Sequence, residues 1–72
     1  MKVIAREKLV HAAEMRGYSI PNLAASLELS ASHLYAILRG ESTQPKTAKK
    51  IAKAVGLQIS ELFDGKDGQN YG

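Results

Sequence analysis

The sequence predicts an all-α fold, a compact bundle of five short helices, and three observations lead to this prediction. Apolar residues recur at helical spacing in four separate stretches. Glycines and serines that are typical of helix ends separate these stretches. No stretch alternates apolar and polar residues for long enough to predict a β-strand. We therefore expect short amphipathic helices joined by short turns.

The first helix is predicted over residues 4–16. One helical face carries its apolar residues, which are Ala5, Leu9, Ala12 and Ala13. Gly17 follows, and glycine most readily adopts the left-handed conformation that ends many helices. The periodic pattern and the glycine together predict where this helix ends.

Two serines mark the beginnings of the second and third helices. Ser19 precedes a helix predicted over residues 20–27, and Ser30 precedes a helix that ends before Gly40. A serine at this position accepts a hydrogen bond from an otherwise unpaired N–H group of the first turn. The apolar residues of the second helix are Ile20, Leu23, Ala24 and Leu27, and those of the third are Leu34, Ile37 and Leu38.

The last two helices complete the domain. The fourth is predicted over residues 46–55, where apolar residues repeat at helical spacing, and it ends at Gly56. Ser60 is predicted to cap a short final turn that contains Leu62 and Phe63. We expect a domain over residues 1–64 and a flexible C-terminal tail over residues 65–72, because the tail has little to bury.

Composition limits the possible functions. The chain has 72 residues and no cysteine, so no disulfide and no thiolate metal site can stabilise it. Its two histidines, His11 and His33, lie far apart without a carboxylate at metal-ligand spacing. Ser30, Ser32 and His33 are close in sequence, but nothing supplies a group that orients the base or an oxyanion hole. There is no glycine-rich phosphate loop and no apolar run approaching the roughly 20 residues that span a bilayer. We predict a cytoplasmic, non-enzymatic protein with no cofactor, no metal and no membrane partner.

Positive charge is concentrated in one window. The chain has a net charge of +3, but residues 39–53 contain five basic residues and one acidic residue, a local charge of +4. The basic residues of this window are Arg39, Lys46, Lys49, Lys50 and Lys53. Such a cluster is compatible with nucleic-acid binding, and it is equally compatible with an ordinary solvated helix face.

The spacing of the second and third helices is the most informative local feature. One short helix ends at Leu27, the three residues 28–30 form a turn, and another helix begins. This is the length of a helix-turn-helix, although an unrelated α-hairpin can have the same spacing. Leu29 is expected to fill the gap between the two helices, and the small Ala24 allows them to approach closely.

A wider set of positions strengthens this interpretation. It comprises the stretch Gly17–Ser19, "LA" at residues 23–24, Leu27, Ser30, Gly40, Pro45, "KIAKAVGL" and "SELF". In this order, over residues 4–63, the chain resembles the lambda repressor-like family, also called XRE or Cro/C1-type helix-turn-helix proteins. The five-residue step from Gly40 to Pro45 is most similar to the phage-repressor branch.

The resemblance implies a bacterial or phage transcriptional regulator, most simply a repressor that binds a palindromic operator on double-stranded DNA as a homodimer. Its third helix would lie in the major groove. The residues implied to face bases are Ala31, Ser32, His33, Tyr35 and Ala36. The residues implied to contact phosphates are Ser19, Ile20, Arg39, Thr43, Gln44, Lys46 and Lys49.

Departures from the family pattern keep other functions open. Phage repressors use long amide side chains where this chain has Ala31, Ser32 and Ala36. We therefore expect only modest discrimination between DNA sequences. One alternative is an antitoxin that binds both a toxin and its own operator. Another is a module for protein–protein interaction. An exposed apolar patch at Val3 and Ile4 would favour these partner-binding alternatives.

Overall fold

Five helices follow one another in the computed structural model, which describes residues 1–64. They are α1 (Arg6–Met15), α2 (Ile20–Ser26), α3 (Ala31–Leu38), α4 (Pro45–Val55) and α5 (Ile59–Leu62). The predicted all-α class and the order of the helices are confirmed. None of these helices has the length and apolar character needed to cross a membrane. The predicted tail, residues 65–72, lies outside the described residues.

The serine caps of α2 and α3 are confirmed. The Ser19 hydroxyl accepts a hydrogen bond from the Asn22 N–H at 3.2 Å. The Ser30 hydroxyl accepts one from the His33 N–H at 3.0 Å. Because each cap satisfies an N–H group that the helix itself leaves unpaired, the two serines determine where the helices of the motif begin.

The predicted cap of α5 was wrong. Ser60 lies inside α5, which begins at Ile59, and Gln58 occupies the N-cap position. The Glu61 carboxylate accepts a hydrogen bond from the Gln58 N–H at 2.9 Å and another from Lys8 Nζ at 3.0 Å. These contacts lower the pKa of Glu61, with the backbone hydrogen bond as the larger cause. A carboxylate reaching back from the first turn therefore replaces the expected serine.

A short antiparallel pairing at the beginning of the chain has no counterpart in the helical prediction. The strand β1 (Lys2–Val3) pairs with β2 (Phe63–Asp64), so that Lys2 faces Asp64 and Val3 faces Phe63. Because these residues are extended, α1 begins at Arg6, two residues after its predicted start. A strand of two residues is too short to produce a recognisable alternating pattern.

The core lies between the inner faces of all five helices and β2. Its largest fully buried side chains are Phe63, Leu9, Leu23, Leu34, Ile37, Ile51 and Leu62. Ala13 and Leu38 are also buried in this core. In the part of the chain that the structure describes, no buried side-chain nitrogen or oxygen lacks a hydrogen-bond partner. Apolar packing thus holds the described helices together without a buried charge.

The turn between α2 and α3 contains one unusual backbone conformation. Glu28 has a φ of +60°, in the left-handed region that residues other than glycine and asparagine rarely adopt. Leu29 follows it, packs against the core as expected, and donates its N–H to the Ala24 carbonyl at 2.8 Å. The turn therefore orients α3 at an energetic cost carried by Glu28.

Candidate nucleic-acid interface

The outer face of α3 is formed by residues that point away from the core. The residues that point inward are Leu34, Ile37 and Leu38. At about 100° per residue, Ser32, Ala36 and Arg39 are directed to the opposite side, with His33 and Tyr35 on the two flanks. We call these five residues the reading face. Four of them are exposed and Ala36 is half-buried, so four of the five predicted base-facing residues share one surface. The fifth, Ala31, lies about 100° around the helix from Ser32, on the side of the buried Leu38.

The chemistry of the reading face is limited to short side chains and two rings. Ser32 offers a hydroxyl, which can donate or accept one hydrogen bond at a base edge. Tyr35, with 43% of its surface exposed, and the methyl group of Ala36 can make apolar contacts with a thymine methyl group. Ala31 is half-buried at the beginning of the helix. No long amide is present, so no bidentate contact with adenine is available here.

The end of α3 carries an ion pair beside the reading face. A guanidinium nitrogen of Arg39 lies 3.5 Å from a carboxylate oxygen of Glu41, and both side chains are about two-thirds exposed, at 64% and 65%. An exposed pair of this kind contributes little to stability, so Arg39 is able to turn towards a phosphate. The negative charge of Glu41 nevertheless stays close to the place that such a phosphate would occupy.

Thr43 differs from the other predicted phosphate-binding residues because it is buried. Only 9% of its surface is exposed. Its N–H donates to the Met1 carbonyl at 2.7 Å, and its own carbonyl accepts from the Met1 amino group at 2.9 Å. Both backbone groups are thus engaged within the protein. We therefore leave Thr43 out of the proposed phosphate contacts.

The outer face of α4 carries the positive charge. Its four exposed lysines have no ion-pair partner within residues 1–64, and they are Lys46, Lys49, Lys50 and Lys53. We call them the lysine face. At 1.5 Å per residue, Lys49 lies about 4.5 Å and Lys53 about 10.5 Å along the axis from Lys46. Salt screens charges over about 8–10 Å. The lysines in and near the first turn of α4 therefore contribute most to the positive potential at the end of the helix nearest α3.

The beginning of α2 provides weaker support for a phosphate contact than the sequence implied. Ser19 is exposed, but its hydroxyl is already engaged in capping the helix. Ile20 is half-buried and packs against the core. Because α2 has only seven residues, its dipole is also small. The contacts implied for Ser19 and Ile20 remain predictions.

Sequence reasoning missed three residues near this surface. Lys2, Ser42 and Thr47 line an open groove of about 790 Å³ together with the predicted residues His33 and Gln44. Lys2 reaches the groove because β1 pairs with β2, and Thr47 belongs to the first turn of α4. No local pattern marks these residues, since they are brought together by contacts between distant parts of the chain.

Comparison with known proteins gives one match. A family model described as helix-turn-helix matches residues 12–62, which is more than half of the chain. The matched segment contains α2 through α5, the whole reading face and the whole lysine face. No curated protein and no solved structure matches the chain significantly.

Proposed function

The chain belongs to the lambda repressor-like helix-turn-helix family of DNA-binding regulators, and from this membership we propose that it is a repressor that binds a palindromic operator as a homodimer. The observation that carries the proposal is the outward orientation of the reading face within the matched segment. In proteins of this architecture the second helix of the motif enters the major groove, where base edges are distinguishable.

Base recognition is assigned to the reading face. Within this face, Ser32, His33 and Tyr35 supply the hydrogen-bonding groups, and Ala36 supplies a small apolar surface. The contact implied for Ala31, which lies outside the reading face, remains a prediction. Each of these contacts discriminates less strongly than a bidentate amide, which is worth roughly 1–3 kcal/mol. We therefore infer that sequence-dependent DNA shape contributes a substantial part of the specificity.

Phosphate binding is assigned to the exposed cations and amide beside α3. Arg39, Gln44, Lys46 and Lys49 are all exposed and follow one another from the end of α3 into α4. Each neutralised phosphate releases condensed counterions, which steepens the logarithmic salt dependence of the binding constant by about 0.9. The affinity is expected to fall steeply with salt because most of the binding energy comes from these contacts.

The homodimer is proposed because one such domain covers little DNA. A single small DNA-binding module buries roughly 600–1,000 Å² of protein surface, whereas specific complexes bury about 1,000–2,500 Å². Two copies related by a two-fold axis would place their α3 helices in successive major grooves, about 34 Å apart. The operator would then consist of two inverted half-sites.

Selection from random double-stranded DNA tests the proposal. We expect recovery of a palindromic motif, and sedimentation of the purified complex is expected to give two chains per duplex. Ser32→Ala should change the base preference at one position in each half-site and leave the other positions unaltered. Recovery of no motif, with binding only at low salt, would exclude sequence-specific repression. A motif without inverted symmetry would exclude the homodimer.

The partner-binding alternatives receive less support from the structure. Val3 pairs with Phe63 and packs against the core, so it is not part of an exposed patch. Ile4 has 62% of its surface exposed, but single exposed apolar residues are common on soluble proteins. The predicted patch is therefore reduced to one residue, and we do not advance a second function.

A further inference from the structure

The open groove between β1, α3 and α4 contains cationic and polar side chains that the helix-turn-helix motif does not account for. We call it the terminal groove, and its lining residues are Met1, Lys2, His33, Ser42, Thr43, Gln44 and Thr47. We propose that the terminal groove binds a phosphate of the DNA backbone, with Lys2 as the cation that neutralises it. The inference rests on the proposed function, and it adds a contact outside the matched segment of residues 12–62.

The backbone around Lys2 is held in place from two sides. On one side β1 pairs with β2, and the Ile4 N–H donates to the Leu62 carbonyl at 2.8 Å. On the other side the Thr43 N–H donates to the Met1 carbonyl at 2.7 Å. Side chains alternate along a strand, so Lys2 is directed away from the core because its neighbour Val3 packs against it. An exposed lysine therefore extends from an ordered backbone.

The lining of the terminal groove favours an anion. Its side chains include the ammonium group of Lys2, the hydroxyls of Ser42 and Thr47, the amide of Gln44 and the imidazole of His33. All of these can donate hydrogen bonds, and none of the lining residues is a carboxylate. The nearest acidic residue by strand register is Asp64, which faces Lys2 across β1 and β2 and does not line the groove. A phosphodiester combines one negative charge with several acceptor oxygens, which this set of donors can satisfy.

The position of the terminal groove connects it with the proposed DNA-binding surface. His33 belongs both to the groove and to the flank of the reading face. Gln44 and Thr47 join the groove to the beginning of α4, where Lys46 is assigned to phosphate binding. When α3 lies in the major groove, the sugar-phosphate strand at its edge would therefore pass the terminal groove. A free phosphate ion shares this chemistry but lacks the anchoring that the bound duplex provides.

Substitution of Lys2 tests the inference. Lys2→Gln should weaken operator binding about three- to tenfold and lower the logarithmic salt slope by about 0.9, because one phosphate contact is lost. Lys8→Gln is the matched control, since it removes the same charge on α1, where Lys8 pairs with Glu61 outside the groove. Lys2→Arg should restore the salt slope. Fluorescence anisotropy at several salt concentrations measures all four proteins.

A second pair of variants introduces a charge within the terminal groove. Ser42→Asp should weaken binding at least tenfold, because a carboxylate would face the proposed phosphate. Ser60→Asp is its control, as Ser60 is exposed on α5 and does not line the groove. Circular dichroism melts identify any variant that has lost its fold. If Lys2→Gln and Ser42→Asp melt like the parent and bind DNA like their controls, the inference is wrong.

The test separates failure of the inference from failure of the proposed function. If the parent protein binds no operator, the proposed function fails whatever the behaviour of Lys2. If the parent binds its operator but the Lys2 and Lys8 variants have the same affinity and salt slope, only the groove inference fails. An NMR titration with inorganic phosphate addresses the source of the ligand. Saturable shifts confined to the groove, with unaltered DNA binding by Lys2→Gln, would identify a free-anion site and overturn the assignment to DNA.

Discussion

The outer faces of α3 and α4 differ in nearly every property that matters for DNA binding. The eight residues of α3 include no lysine, arginine, aspartate or glutamate, and Arg39 follows only at its end, whereas the eleven residues of α4 carry four exposed lysines. A surface without long amides discriminates bases weakly, and a lysine face binds phosphates of any sequence. Under the proposed function, this difference predicts that α4 supplies binding affinity for DNA of any sequence and that α3 discriminates only weakly between bases.

Charge reversal on α4 is the largest change that we expect. Lys46→Glu combined with Lys49→Glu should weaken binding about a hundredfold or more on every sequence, because two phosphate contacts become repulsive. Lys53→Glu is the control, since Lys53 lies about 10.5 Å along the axis from Lys46 and should lose less. Binding to an operator and to a random duplex of equal length measures the effect. A loss confined to the operator would contradict the division between the two faces.

A long amide on α3 should strengthen the discrimination between bases, which is the weaker property of the two faces. Ala36→Gln would place an amide on the side of α3 that points away from the core, where it can contact an adenine. We expect about tenfold stronger discrimination at one base pair of each half-site, with little change in the salt slope. Selection from random DNA with the variant and the parent measures the difference. Ala25→Gln, which alters an exposed alanine on α2, controls for a general effect of the amide.

Removal of one acidic charge should have a smaller effect. Glu41→Gln eliminates the carboxylate that lies 3.5 Å from Arg39, so the guanidinium loses its internal partner and the DNA loses a repelling charge. We expect about threefold tighter binding on all sequences and no shift in base preference. Glu14→Gln, an exposed change on α1, is the control. Equal affinities for Glu41→Gln and the parent would show that the ion pair does not limit Arg39.

The helices were predictable because the signals that define them are local. Ser19 and Ser30 cap the helices that they precede, and the apolar periodicity located the buried face of each long helix. The α5 cap was mispredicted because the helix begins one residue before Ser60, and the Glu61 carboxylate accepts the N–H of the N-cap residue Gln58. A serine near a helix start does not show by itself whether it is the N-cap residue or lies within the first turn.

The site was less predictable because part of it depends on contacts between distant residues. The pairing of β1 with β2 brings Lys2 to the surface beside α3, and the hydrogen bonds with Met1 bury Thr43. Neither event leaves a periodic pattern, since only two residues of each strand take part. Ser32, His33, Tyr35 and Ala36 were predictable as neighbours because they lie on one short helix, although Ala31 of the same helix falls outside their face.

The turn between α2 and α3 provides the last and smallest test, because it should alter stability without altering either face. Glu28 adopts a φ of +60°, and a left-handed residue other than glycine costs about 1–2 kcal/mol. Glu28→Gly relieves this strain but increases the freedom of the unfolded chain, so we expect a net gain of about 1 kcal/mol or less. Glu28→Ala is the matched control: it removes the same charge and keeps the strain. A higher melting temperature for the glycine variant alone, with both variants retaining the parent's base preference, would locate the strain in the turn and recognition in α3. Lower stability of the glycine variant would show that the strain at Glu28 is smaller than the entropic cost of glycine in the unfolded chain.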